Sequence, residues 1–219
     1  MIRFEEELTL LQNHLLEMAG RVKSSIHKSM RCLIERDRSL ILEVLADEEH
    51  INELEIRIDS LATRLVALNQ PVAVDMRLII AALKINTDLE RMGDLAVSIV
   101  QRASELLDRP PLEQMVPVAE EATLVEAMVE DSIAAFIDRD AQLAHQVLLA
   151  DDRVDLLRNE IYESLATRME ADGHAVRRAL PLLVIARNLE RIADHATNVA
   201  EDVIFLVRGV DVRHRREQP

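Results

Sequence analysis

The second half of this 219-residue chain repeats the first, which restricts the fold to two copies of one unit. At an offset of 103, Ile34, Arg36, Asp37, Leu40, Val44 and Leu45 coincide with Ile137, Arg139, Asp140, Leu143, Val147 and Leu148. Ser60-Leu-Ala-Thr-Arg64 recurs as Ser164-Leu-Ala-Thr-Arg168 at 104. Leu83, Ile85, Leu89, Glu90, Arg91, Asp94 and Ala96 return at 100 as Leu183, Ile185, Leu189, Glu190, Arg191, Asp194 and Ala196. The drift in offset places the insertions and deletions in turns.

Each copy is helical by its periodicity. Apolar residues recur at alternating steps of three and four, as in Leu8, Leu11, Leu15, Met18 and Val22, the spacing of helix faces that pack as antiparallel bundles. A second stripe runs from Leu40 to Leu68 with one polar interruption, Asp47, and a third from Leu78 to Leu106. Breaks fall at Asn69-Gln-Pro71 and Arg109-Pro-Pro111, where proline removes a backbone donor and pushes the preceding residue out of the helical region. A weaker break near Arg36 to Leu40 has Asp37 or Ser39 as N-cap. The expected fold is all-α: two tandem antiparallel three-helix bundles, six long helices in all, over residues 1–109 and 110–209, with a tail at 210–219. Each helix would have about 30 residues and span about 45 Å. Pro181 falls near the start of the sixth helix, in its first turn or at a kink.

Composition narrows the function. With 40 acidic against 26 basic residues and a net charge of −14, the surface repels phosphodiester backbones, and four scattered aromatics cannot form a base-stacking platform. Nucleic acid is excluded as a partner. Uncharged stretches such as Leu65 to Val74 and Ala141 to Ala150 are about half the length a membrane span needs. The acidic start, Glu5-Glu-Glu7, lacks the basic patch and apolar run of a secretory signal, so a cytoplasmic location is expected, with membrane contact only through partners. Cys32 stands alone and reads as a small core residue in a reducing compartment. The arginines between Arg208 and Arg216 read as a solvated end.

The sharpest local signal is Leu89-Glu-Arg-Met-Gly-Asp94 and its copy Leu189-Glu-Arg-Ile-Ala-Asp194. Residues four apart share a helix face, so each Glu and Asp pair sets like charges within about 6 Å, at a cost of a few tenths of a kcal/mol. Two copies of an unfavourable pair suggest a cation that compensates them. Asn198 continues the second face, where the first has Ser98. If the hairpins reverse near residue 70 and residue 172 or 173, Glu48 and Glu49 lie opposite Glu90 and Asp94, and Asp151, Asp152 and Asp155 lie opposite Glu190 and Asp194. Such hard oxygen donors suit Mg, Mn or iron, bound shallowly on the bundle's flank. The competing reading is a solvated face neutralised by Arg91 and Arg191, in pairs worth at most about 1 kcal/mol.

Catalytic signals are absent. Asp47-x-x-His50 is half of a diiron set, but the second repeat offers Ala150-x-x-Arg153. His195 sits beside Asp194 where the first repeat has Leu95, and reads as an ordinary, partly exposed histidine. No phosphate loop or nucleophile elbow occurs.

Three segments together, Asn69-Gln-Pro-Val-Ala-Val-Asp75, Leu89 to Asp94 and Asn188-Leu-Glu-Arg-Ile-Ala-Asp-His-Ala-Thr-Asn198, resemble the PhoU family of bacterial phosphate signalling. The likeness runs from about Phe4 to Gly209. It implies a non-enzymatic negative regulator of phosphate uptake and two-component signalling, often a homodimer. Such a protein links the ATPase subunit of a phosphate ABC transporter to its sensor histidine kinase. It also implies metal on the acidic motifs, here Glu90, Asp94, Glu190 and Asp194 with Asn198 following, iron foremost and Mg, Mn or Zn as alternatives. Ser98 departs from the Asn common at its place in the family. The rival readings are a carboxylate-bridged metal enzyme and a metal-free helical scaffold.

Overall fold

The computed structural model describes residues 2–110 and 117–210. Six helices account for it: α1 (Ile2–Glu35), α2 (Leu40–Asn69), α3 (Ala73–Leu106), α4 (Val118–Asp138), α5 (Ala141–Ala171) and α6 (Val176–Arg208), with a single 3-10 turn at Gly173–Ala175 before α6. Helices α1, α2 and α3 pack on one another, as do α4, α5 and α6; α3 lies against α6, and α1 against α4, to join the two bundles. The expected all-α pair of three-helix bundles is present. The fourth helix has 21 residues rather than about 30. Pro111 of the linker and the tail from residue 211 lie outside the described residues.

The apolar stripes form the core. Leu11, Leu15, Met18, Val22 and Ile26 of α1 are buried with Ile51 and Ile58 of α2 and Ile85, Leu89 and Met92 of α3, and this core continues through Ala96 into Ile185, Leu189 and Ile192 of α6. Truncating any of these leucines or isoleucines to alanine would cost about 2–5 kcal/mol, because the packed helices cannot close the void. Cys32 is buried in a smaller cluster with Leu40, Val44, Val97 and Val100.

The buried faces also fix the repeat's true register. Val44, Ile51, Leu54, Ile58 and Ala62 of α2 are buried, and so are Val147, Val154, Leu157, Ile161 and Leu165 of α5, all at an offset of 103. The likeness of Ser60–Arg64 to Ser164–Arg168 at 104 is therefore one residue out of phase with the packing, about 100° around the helix. That step falls inside two unbroken helices and not in a turn. The change to 100 does sit in a turn: α3 starts at Ala73, three residues earlier in register than α6 at Val176.

Polar residues at the turns and in the stripes have identifiable partners. Asp47 interrupts its stripe because Lys28 and Arg21 of α1 donate to it at 2.7 and 3.4 Å. Asp37 does not cap α2 but accepts from the backbone and hydroxyl of Ser39 at 2.9 and 2.6 Å, whereas its counterpart Asp140 caps α5 through Gln142 and Leu143. Arg36, in the left-handed region, donates to the backbone carbonyls of Leu106, Leu107 and Arg109 at and just beyond the end of α3. Pro181 lies within α6 beyond its first turn, so the carbonyl of Arg177 loses its helical donor. Arg109 supplies a replacement at 2.8 Å.

Candidate functional site

The seam between α3 and α6 sets the two acidic motifs in place. Asn188 donates to Ser98 at 2.9 Å, and Asn198 donates to Asp88 at 3.3 Å; 88 and 188, like 98 and 198, are equivalent positions of the repeat, so the two contacts are related by its pseudo-twofold. His195 also hydrogen bonds to Asp88, at 2.8 Å, and Lys84 donates to Asp202 at 2.6 Å. Both Asn198 and His195 thus engage α3 directly. His195 is partly exposed, as expected, but has a partner across the seam.

On α3, Glu90 and Asp94 share a face that Arg91 partly neutralises, at 3.4 and 3.6 Å. Gly93 lies between them, and a side chain there would meet Ile51 at 3.1 Å, so glycine lets α2 approach closely. Burial holds the Glu90 carboxyl above its ordinary range, aided by Asp94 and by Glu55 of α2, while Arg91 opposes. The hairpin does reverse at residues 70–72, Ile51 lies against Gly93, and Glu55 of α2 acts on Glu90 less than burial, Asp94 or Arg91 do. Glu48 is half-buried and Glu49 exposed.

The second patch is denser. Asp151 is pushed up to about 6 by burial first, then by the charges of Asp194, Asp155, Asp152 and Glu190. Glu190 is raised by burial, Asp194 and Asp155, against Arg158 and Arg187. Asp194 is raised by loss of water around its carboxylate and by Asp155, against His195, Arg158 and Arg191. Of the aspartates expected opposite Glu190 and Asp194, Asp155 acts on both and Asp151 feels both, whereas Asp152 acts on Asp151. Arg158, one helical turn along from Asp155, donates to it at 2.9 Å, stands 3.9 Å from Glu190 and lies 6.0 Å over the Tyr162 ring.

A further carboxylate escaped the sequence reading. Glu121 of α4 is fully buried, and neither of its side-chain oxygens has a hydrogen-bond partner. Burial pushes it up to about 8, Glu190 adds to the rise, and Arg158 opposes it. The signal was available: Glu121 occupies the place of core residue Met18 at the offset of 103, between Val118, Ala122 and Val125 on the buried face of α4.

In kind, these donors fit a hard cation, for all are carboxylate oxygens whose mutual repulsion a cation would relieve. In placement they do not yet converge: among the described residues, no three acidic, histidine or cysteine side chains form a ready-made metal pocket. In the second patch a guanidinium stands among them instead. No helix of the described residues is long and apolar enough to cross a membrane.

The profile of the family described as "PhoU domain" matches residues 15–103 and 118–203, once in each repeat. The chain is 39% identical over 213 residues to the phosphate-specific transport system accessory protein PhoU homolog of Pseudomonas aeruginosa, covering 97% of this chain and 88% of that one. It is likewise 39% identical over 210 residues to the protein of the same name from Aquifex aeolicus, covering 96% and 95%. The crystal structure of PhoU from Pseudomonas aeruginosa superposes with a TM-score of 0.92 at 38% identity, over 94% of this chain and all of that one. That of PhoU from Streptococcus pneumoniae gives 0.88 at 24% identity, over 95% and 99%, and at that distance speaks for the fold alone. The duplicated bundles, the repeated acidic motifs and these end-to-end matches lead to one conclusion: the chain belongs to the PhoU family.

Proposed function

We propose that this chain is an accessory protein of a phosphate-specific transport system that acts by binding alone. In this reading it bridges the ATPase subunit of the phosphate ABC transporter and the sensor histidine kinase, and keeps phosphate-starvation signalling off while phosphate is plentiful. The observation that carries the reading is the match to relatives named as accessory proteins of that system over nearly the whole of both chains. The protein would work in the cytoplasm as a homodimer, touching the membrane only through its partners.

The acidic faces would hold metal, iron foremost, with Mg, Mn or Zn as alternatives. Glu190, Asp194, Asp151 and Asp155, with Asp152 beside them, would ligate in the second bundle. Glu90 and Asp94 would do so in the first, where Glu55 supplements Glu48 and Glu49. Asn198 would tie the second motif to α3. A bound cation would supply positive charge that cancels the repulsion within each patch and presents a coordination position to a partner carboxylate or phosphate. Support comes from the clustered carboxylates that raise one another in the second patch.

Deleting the gene tests the regulatory reading. Alkaline phosphatase should rise in phosphate-rich medium and fall again on complementation; an unchanged level would refute it.

A further inference from the structure

The pseudo-twofold of the α3–α6 seam relates two grooves, towards its opposite ends, that differ in charge. In one, Lys84 of α3 donates to Asp202 of α6 at 2.6 Å and lies 5.9 Å over the Phe205 ring, with the carboxylates of Asp88 and Glu201 beside them. At the offset of 100 the places of Lys84, Asp202 and Phe205 hold Val184, Arg102 and Glu105. These three line the second groove, between the end of α3 and the early turns of α6, a cavity of about 380 Å3. The ion pair that crosses the seam in one groove is thus replaced in the other by valine and arginine. Among the described residues, the ion pair of Arg102 is with Glu105 of its own helix.

Two more arginines join it. Pro181 leaves the carbonyl of Arg177 without its helical donor, and Arg109 fills that place through one N–H of its guanidinium, which keeps the rest of its donors uncommitted among the described residues. The guanidinium of Arg177 has no hydrogen-bond or ion-pair partner among them either. The adjoining wall is apolar and open to water: Leu180 is 52% and Val184 39% exposed, one helical turn apart. Three guanidinium groups against one carboxylate make this groove positive on a chain of net charge −14. A small anion would use the arginines and leave the two apolar side chains wet. A segment that carries both carboxylates and an aliphatic side chain satisfies the whole groove.

We propose that this groove docks an acidic peptide segment of a partner protein, which sets carboxylates on Arg102, Arg109 and Arg177 and an aliphatic side chain against Leu180 and Val184. The planar fork of each arginine suits a carboxylate. The partner's carboxylate gives Arg102 the counter-charge that Lys84 receives from Asp202 in the sister groove. Docking requires neither bound metal nor a role in phosphate transport.

The test is fluorescence anisotropy of the full chain with a fluorescein-labelled peptide of Asp-Glu-Leu-Leu repeats. Arg102→Asp/Val184→Lys installs the arrangement of Asp202 and Lys84, so it should fold and weaken binding by about tenfold or more, the order expected from losing a charge-assisted hydrogen bond. Arg177→Glu should do the same. Leu180→Ser, at an exposed position, should weaken binding severalfold, as should serine in place of the peptide's leucines or Asn and Gln in place of its acids. Circular dichroism should show equal helicity throughout. No binding by the parent chain, or equal binding by the parent and all these variants, would overturn the proposal. So would inorganic phosphate that binds with the same dependence on the arginines while the peptide does not bind, the mark of a small-anion site. Self-association in sedimentation that Arg102→Asp/Val184→Lys abolishes and the peptide cannot compete with would assign the groove to a second copy of the chain, and overturn it equally.

Discussion

Ser98 accepts a hydrogen bond from Asn188 across the α3–α6 seam, at 2.9 Å. Asp88 accepts from Asn198 at the pseudo-symmetric place. Serine is thus not a defect in the first acidic motif: its hydroxyl is the acceptor that joins one bundle to the other.

Asn188→Ala removes the donor and leaves the Ser98 hydroxyl without this partner at a largely buried contact. The expected loss is about 1–2 kcal/mol of stability. Urea unfolding followed by circular dichroism should show it as a lower midpoint; an unaltered midpoint would show that the seam does not depend on this bond.

Glu121 gives stability a defined pH dependence. Its folded pKa, about 8, lies above the ordinary value of 4.5, so the folded protein holds a proton that the unfolded chain has lost between those limits. Its contribution is complete below about 4.5 and declines as pH rises towards 8, by at most about 1.4 kcal/mol per unit. Replacing it with methionine, as at Met18, should scarcely matter at pH 4.5 and should stabilise the protein by a few kcal/mol at pH 8. Midpoints of wild type and Glu121→Met that stay parallel between those pH values would contradict the placement of this carboxylate.

Asp47 and Lys28 form a pair at 2.7 Å in which the carboxylate is 12% exposed and the lysine, raised by that hydrogen bond, 23%. Asp47→Ala, the change that would copy Ala150, should cost about 1–2 kcal/mol, because Lys28 and Arg21 lose their most buried partner and keep only Glu43 and Glu17. Lys28→Met added to it should restore part of that loss, a coupling that a double-mutant cycle in denaturant would read directly.

Much of this molecule follows from one-dimensional pattern. The stripes and the prolines give the helices and hairpins, because burial of one face per helix leaves a period in the sequence. What was hidden depends on register between helices. A single close approach, Gly93 against Ile51, sets the register that brings Glu55 within reach of Glu90. Contacts such as Asp88 with Asn198 join residues 110 apart and leave no local period. Glu121 was overlooked for a different reason: among so many acidic residues it reads as surface, and only its alignment with Met18 marks it as core. The fourth helix starts directly after Pro117, which stands at its N-cap.

Elemental analysis of the purified protein tests the cation-holding role of the acidic patches most directly. Wild type should carry bound divalent or trivalent metal, and Glu190→Ala/Asp194→Ala should lose the share of the second bundle at unchanged helicity. Equal metal content in the two proteins, or none in either, would contradict it.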